Sequence, residues 1–105
     1  MNNILPSQLQ ARMAAGDALQ LVDVRERWEF ERARIDGSTL MPMGEVGTRL
    51  EELSRESDIV VICHHGGRSM QVALFLERNG FPNVHNLTGG VDAWARSVDP
   101  SMPTY

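Results

Sequence analysis

At 105 residues, 42% hydrophobic and 23% charged, the chain has the size and balance of one globular domain, residues 1–105, around one core. Its net charge is −4 and all ten basic residues are arginine, which argues against the basic face that nucleic-acid binding needs; any anion site must be built locally, against the mean field. The single cysteine excludes an internal disulfide and is compatible with a reducing compartment.

The first ten residues lack a basic start and a long apolar run, and no stretch approaches the roughly 20 apolar residues of a membrane span. The expectation is a cytoplasmic chain with no membrane partner. Residues 6–16 then read as a short helix: Ser7 caps it, Leu9 and Met13 share a face, and Gly16 stops it. Residues 18–24 are a short apolar strand. Residues 25–33 read as one or two turns of helix, charged outside, with Trp28 anchored inward. Residues 38–43 read as a strand ending near Pro42, and residues 44–54 as a helix with Val46, Leu50 and Leu53 on one face.

Residues 58–62, DIVVI, are continuous and mostly β-branched, so they predict a strand buried on both faces. Residues 68–80 predict a helix that Gly80 ends. Residues 83–87 read as a last strand and 90–98 as a last helix; the tail 99–105 is too rich in proline to continue it. This alternation implies right-handed βαβ units: an α/β fold with a mostly parallel sheet covered by helices on both faces. Ligands in such folds sit at the carboxyl ends of the strands, which is where Cys63 falls.

The stretch CHHGGRS, residues 63–69, carries the chemistry. Gly66 and Gly67 can take positive φ and turn backbone N–H groups into the bend. Ser69 starts the following helix, whose unpaired N–H groups and dipole face the same bend. Arg68 can add a full positive charge from the rim. An isolated thiol has a pKa of about 8.5, so only about 3% is thiolate at pH 7; a helix N-terminus with a nearby cation lowers it into a range of about 3.5–7.5. A thiolate and a unit anion about 4 Å apart repel by roughly 4 kcal/mol at an effective dielectric of 20, so donors aimed at that spot are needed if the substrate is an anion. Two readings of Cys63 stand side by side: a buried structural thiol or a nucleophile that handles small anions. The nucleophile requires a sulfur that solvent can reach.

The same residues resemble the active-site loop of the rhodanese family of sulfurtransferases, with four residues between cysteine and arginine. Residues 21–37, LVDVRERWEFERARIDG, are similar to that family's first acidic segment, and residues 87–105 to its closing GG-x-x-AW segment and tail. The resemblance implies a central parallel sheet of about five strands. It also implies a two-step sulfur transfer with no cofactor and no metal. Thiolate Cys63 takes the outer sulfur of a small anionic donor such as thiosulfate and becomes a persulfide. A thiophilic acceptor, cyanide in vitro or a thiol in the cell, then removes the sulfur. Arg68 is implied to hold the donor's sulfonate, and loop N–H groups from His64 to Ser69, including Gly66 and Gly67, to stabilise thiolate and persulfide. The chain departs from the family pattern at Ala33 and Arg34, where glycine and histidine are common.

Two rival functions are weighed. Cysteine-dependent phosphatases, including a cell-division-cycle type of related fold, use five residues between cysteine and arginine and a histidine before the cysteine; here there are four, and Ile62 precedes. A rhodanese-like binding or sensing module commonly lacks the cysteine. His64 and His65 read as loop walls that shape acceptor access, with acid–base roles or zinc binding with Cys63 and His85 as lesser readings. Asp23 and Arg25 read as a structural ion pair, with Arg25–Glu29 as an alternative helix contact. Trp28, Phe30 and Trp94 are expected in the core, and Met41, Met43 and Met70 there or at the pocket rim.

Overall fold

The alternation read from the chain becomes β1 (Asn2–Ile4), α1 (Pro6–Ala14), β2 (Leu19–Asp23), α2 (Arg27–Arg32), β3 (Thr39–Leu40), β4 (Asp58–Ile62), α3 (Gly67–Arg78), β5 (Val84–Leu87) and α4 (Gly90–Ser97) in a computed structural model that describes residues 1–105. The strands form one sheet in the order β1-β5-β4-β2-β3, with every pairing parallel. This is the α/β architecture expected. No helix is long and apolar enough to cross a membrane.

β4 lies in the middle because its residues are apolar on both faces. Ile59 to Ile62 are each at most 1% exposed. Successive strand residues point to opposite faces, so Val60 and Ile62 join Leu9, Leu21, Val91 and Trp94 in one core layer with α1 and α4. Ile59 and Val61 join Val72, Ala73 and Leu76 of α3 in the other. Cys63 is in phase with Ile59 and Val61, so strand periodicity alone sends its side chain to the α3 side.

Several expectations need correction. The strand β1 was not read from the sequence; it is three residues long, with only Ile4 buried, and tertiary pairing with β5 makes it. Residues 44–54 do not form an α-helix. They make 3-10 turns at Met43–Thr48 and Leu50–Glu52, because Gly44 and Gly47 weaken helix propagation; Val46 still points inward. Strand β3 keeps only two of six expected residues. Ser7 does not cap α1: Leu5 is the N-cap, its amide held by the Gln8 side chain at 2.9 Å. Helix α3 begins at Gly67, not Ser69, and of the two glycines Gly66 and Gly67 only Gly66 has positive φ, at 109°.

Trp28 is 60% exposed and Phe30 half-buried, whereas Trp94 is in the core. Neighbouring helix residues point about 100° apart, and α2 turns Glu29 inward, which swings Trp28 out to rest edge-on against Tyr105 at 5.7 Å. Met41 is buried, Met70 is half-buried and Met43 is exposed.

The start of α4 docks directly on the residues after β4. Val91 N–H donates to the Cys63 carbonyl at 2.8 Å and Asp92 N–H to the His64 carbonyl at 3.1 Å. Gly90 makes this approach possible: its φ is +60°, and a Cβ there would lie 2.3 Å from the Cys63 oxygen and 2.5 Å from the His64 oxygen. Gly67, at the first position of α3, has open space around it. Gly90→Ala is therefore expected to destabilise the protein by about 3 kcal/mol or more, and Gly67→Ala to change stability by no more than about 1 kcal/mol, upward in sign, both read by chemical denaturation.

Candidate active site

Cys63 follows the carboxyl end of β4 and faces the amino end of α3. Its Sγ accepts the Gly66 N–H at 3.0 Å and lies 3.2 Å from the Ser69 hydroxyl. From this amide the chain turns into α3 through the positive φ of Gly66, a conformation that glycine adopts without strain. The carbonyls of Cys63 and His64 are taken by α4, and the amides of His64 and His65 have no acceptor within the chain. In a trans peptide the N–H points opposite to the C=O, so these two amides are directed away from α4. The first turn of α3 adds its own free N–H groups, since the Met70 amide is the first to bond back, to Gly66 O at 3.1 Å. Gly67 and Ser69 lie in that turn, Ser69 fully buried.

The sulfur is covered. Cys63 is 1% exposed, and none of the three surface cavities is lined by it or by Arg68. The sequence reading asked for a reachable thiol; the structure holds a closed one.

Arg68 follows the turn at the start of α3, and its fork is occupied. Nη1 and Nη2 donate to the two oxygens of Glu29 at 2.7 and 2.9 Å. This pairing holds the Glu29 carboxyl down to about 2, against an ordinary 4.5, and raises the Arg68 guanidinium further. The Tyr105 hydroxyl donates to Glu29 Oε2 at 2.9 Å and accepts from Arg25 Nη1 at 2.6 Å. Arg25 is fully buried beside Asp23, with Nε 2.9 Å and Nη2 2.7 Å from its carboxylate. Asp23 and Arg25 are thus a buried ion pair, while Arg25 reaches Glu29 only at the backbone carbonyl, at 3.3 Å. Arg25 Nη2 also donates to the Ala33 carbonyl at 2.6 Å, so one departure from the family pattern sits inside this network. The other, Arg34, is exposed and lies over the Phe30 ring at 4.8 Å.

The His64 ring is sandwiched. It stacks on Tyr105 at 3.9 Å with planes 5° apart, and on His65 at 3.9 Å with planes 32° apart. Burial, then the neighbouring His65, pushes its pKa below the ordinary 6.5, and its Nε2 is buried without a hydrogen-bond partner. His65 is exposed and 3.9 Å from Asp92. His64, His65 and Asp92 each offer an atom within 4.8 Å of the others, but stacked rings send their lone pairs side by side rather than toward one ion. His85 is paired with Asp58, at the opposite end of β4, at 3.1 Å.

Sequence reasoning missed Glu29 as the partner of Arg68, Tyr105 as the link between Glu29 and Arg25, and Asn86, which contacts Ser69. For Glu29 the available signal was a carboxylate on a short helix just past the end of β2. For Tyr105 and Asn86 no local signal exists, because both reach the loop from distant parts of the chain.

Comparison with known proteins agrees with this architecture. The family model described as "Rhodanese-like domain" matches residues 5–97. The chain is 46% identical over 93 residues to an Arabidopsis thaliana chloroplastic rhodanese-like/PpiC domain-containing protein, covering 85% of this chain but only 31% of that one. It is 33% identical over 97 residues to a thiosulfate sulfurtransferase of Glaesserella parasuis, covering 92% of this chain and 89% of that one. It superimposes on a rhodanese-like domain protein of Staphylococcus aureus with a TM-score of 0.86 at 27% identity, over 100% of this chain and 99% of the other. With a five-stranded parallel sheet, a cysteine loop at the end of its central strand and a family match across most of its length, this chain belongs to the rhodanese-like domain family.

Proposed function

We propose that the protein is a sulfurtransferase that moves sulfane sulfur from a small anionic donor such as thiosulfate to a thiophilic acceptor through a persulfide on Cys63. The observation that carries this reading is the Gly66 amide on Sγ, set in a turn where further amides are unpaired. Such donors favour an ionised sulfur and then a charged persulfide. The family supports the reaction class, and the Glaesserella relative's name supports the donor.

In the first step the Cys63 thiolate attacks the outer sulfur of the donor. A new S–S bond forms, the old one breaks, and sulfite leaves with its electron pair. In the second step an acceptor thiolate or cyanide attacks the terminal sulfur, and Cys63 leaves again as thiolate. No proton transfer is needed in either step, which suits histidines used as walls. The chain has no second cysteine, so the sulfur leaves to another molecule.

Arg68 is the group for the donor's sulfonate. Glu29 presents two oxygens to its fork as a sulfonate does, so the donor competes with Glu29 for the same N–H groups. Entry requires the cover over Cys63 to open, and the His64–Tyr105 stack borders the same charge network. A pure binding module has no use for an ionised thiol, and a phosphatase loop carries one residue more.

Thiosulfate treatment is expected to add one sulfur atom to the intact protein; cyanide reverses the gain and Cys63→Ser abolishes it, with mass spectrometry as the readout. An unchanged mass would sink the reading. Arg68→Ala is expected to raise KM for thiosulfate several-fold more than KM for an uncharged sulfur donor; equal losses on both remove Arg68 from anion binding.

The Glu29–Arg68 pair also makes a stability prediction. The folded pKa of Glu29 lies below its unfolded value, so the pair's contribution is complete above about pH 4.5 and is lost as pH falls toward about 2. Because Arg68 is 37% exposed, that contribution is discounted to about 1–2 kcal/mol. Glu29→Gln is expected to be less stable than the parent at neutral pH by that amount, with the gap closing on acidification through this window in denaturant titrations.

A further inference from the structure

Ser69 Oγ stands between two acceptors. One is Cys63 Sγ at 3.2 Å, and the other is Asn86 Oδ1, in short contact. A serine hydroxyl has one proton, so it can serve only one of them at a time. Asn86 is 3% exposed on β5, in register with Val61, two residues before Cys63. The other end of its amide is barely held: Nδ2 is 3.5 Å from Asn3 Oδ1, at the outer limit of a hydrogen bond.

We infer that Asn86 is a positioning residue that sets the charge state of Cys63 through Ser69. When the thiol is neutral, its S–H donates to Ser69 Oγ and Ser69 donates to Asn86 Oδ1. When the thiol loses its proton to solvent, Ser69 turns its hydroxyl onto the sulfur. Asn86 then rotates its amide and donates from Nδ2 to Ser69 Oγ. An amide can do this because its oxygen and nitrogen ends have nearly the same shape and opposite hydrogen-bonding roles. Cys63 and Ser69 keep partners in both states, and no further charge enters the core. A leucine has the same outline and neither role.

The inference rests on Cys63 as the nucleophile, but its test reads ionisation rather than sulfur transfer. Thiolate ultraviolet absorbance is followed against pH in the full chain, in Asn86→Leu, in Ser69→Ala and in the double variant, with Cys63→Ser as blank. The charged and titratable groups around the sulfur are common to all of them and cancel in the comparison: Arg68 from α3, Glu29 from α2, Asp23 and Arg25 after β2, His64 and His65 from the loop, Asp92 from α4 and Tyr105 from the tail.

Asn86→Leu is expected to leave about fivefold less thiolate at neutral pH, the size of one hydrogen bond. Ser69→Ala is expected to lose at least as much, and the double variant no more than Ser69→Ala alone. An unchanged midpoint in Asn86→Leu overturns the inference. So does a lowered one, which would mean that Asn86 only competes for the Ser69 proton. If Asn86→Leu does not fold, the isotope-labelled side-chain amide of Asn86 in the unmutated protein decides by NMR. Its signal must move with the thiolate midpoint and stop moving with it in Ser69→Ala; a signal constant through the midpoint overturns the inference. Absence of a persulfide beside these shifts would remove the proposed reaction and leave the role of Asn86 standing.

Discussion

The site depends on one docking contact. Two amides at the start of α4 take the carbonyls of Cys63 and His64. Peptide planarity then turns the amides of His64 and His65 the other way. A loop of the same sequence without this contact is free to rotate its peptides and present carbonyl oxygens to the sulfur, which would disfavour a thiolate. The contact in turn depends on Gly90, where a side chain would overlap both carbonyl oxygens. Glycine at position 90, far along the chain from the cysteine, is thus a requirement of the loop's backbone orientation, transmitted through close packing.

Around this backbone cradle the side-chain charges are arranged in balanced pairs. Asp23 meets Arg25, and Glu29 meets Arg68, with the Tyr105 hydroxyl linking the two pairs. These side chains therefore leave no formal charge uncompensated among themselves, and for the proposed anionic donor attraction would come first from amides and the helix end. In an acidic protein this has a use. Arg68 is held in place by Glu29, and in the proposed reaction it becomes available only to a donor that can replace a carboxylate. Exchange of this kind, as the proposed function requires, would favour planar or trigonal oxyanions over general negative charge.

Cys63 is buried in the core layer on the α3 side, and the tail packs on the loop residue next to it. Tyr105 spends its hydroxyl on Arg25 and Glu29 and its ring on His64, so one residue of the tail ties the charge network to the wall of the loop. Met102 anchors that tail in the core layer of α1 and α4.

The strands and helices that matter most were legible in the chain because their signals are local. DIVVI is apolar at every position but the first, and residues 68–80 repeat with helical period and end on glycine. The position of Cys63 at a strand end and the turn at Gly66 could be read the same way. The helix expected over residues 44–54 and the inward position expected for Trp28 do not occur, because short segments take their shape from what covers them, not from their own propensity. What only the tertiary structure decided is the set of partners: Glu29 on Arg68, Tyr105 on His64, Asn86 on Ser69 and α4 on the loop's carbonyls. Periodicity and turn chemistry act over a few residues. A partner brought in across a parallel sheet leaves no mark in the sequence until the crossovers place it.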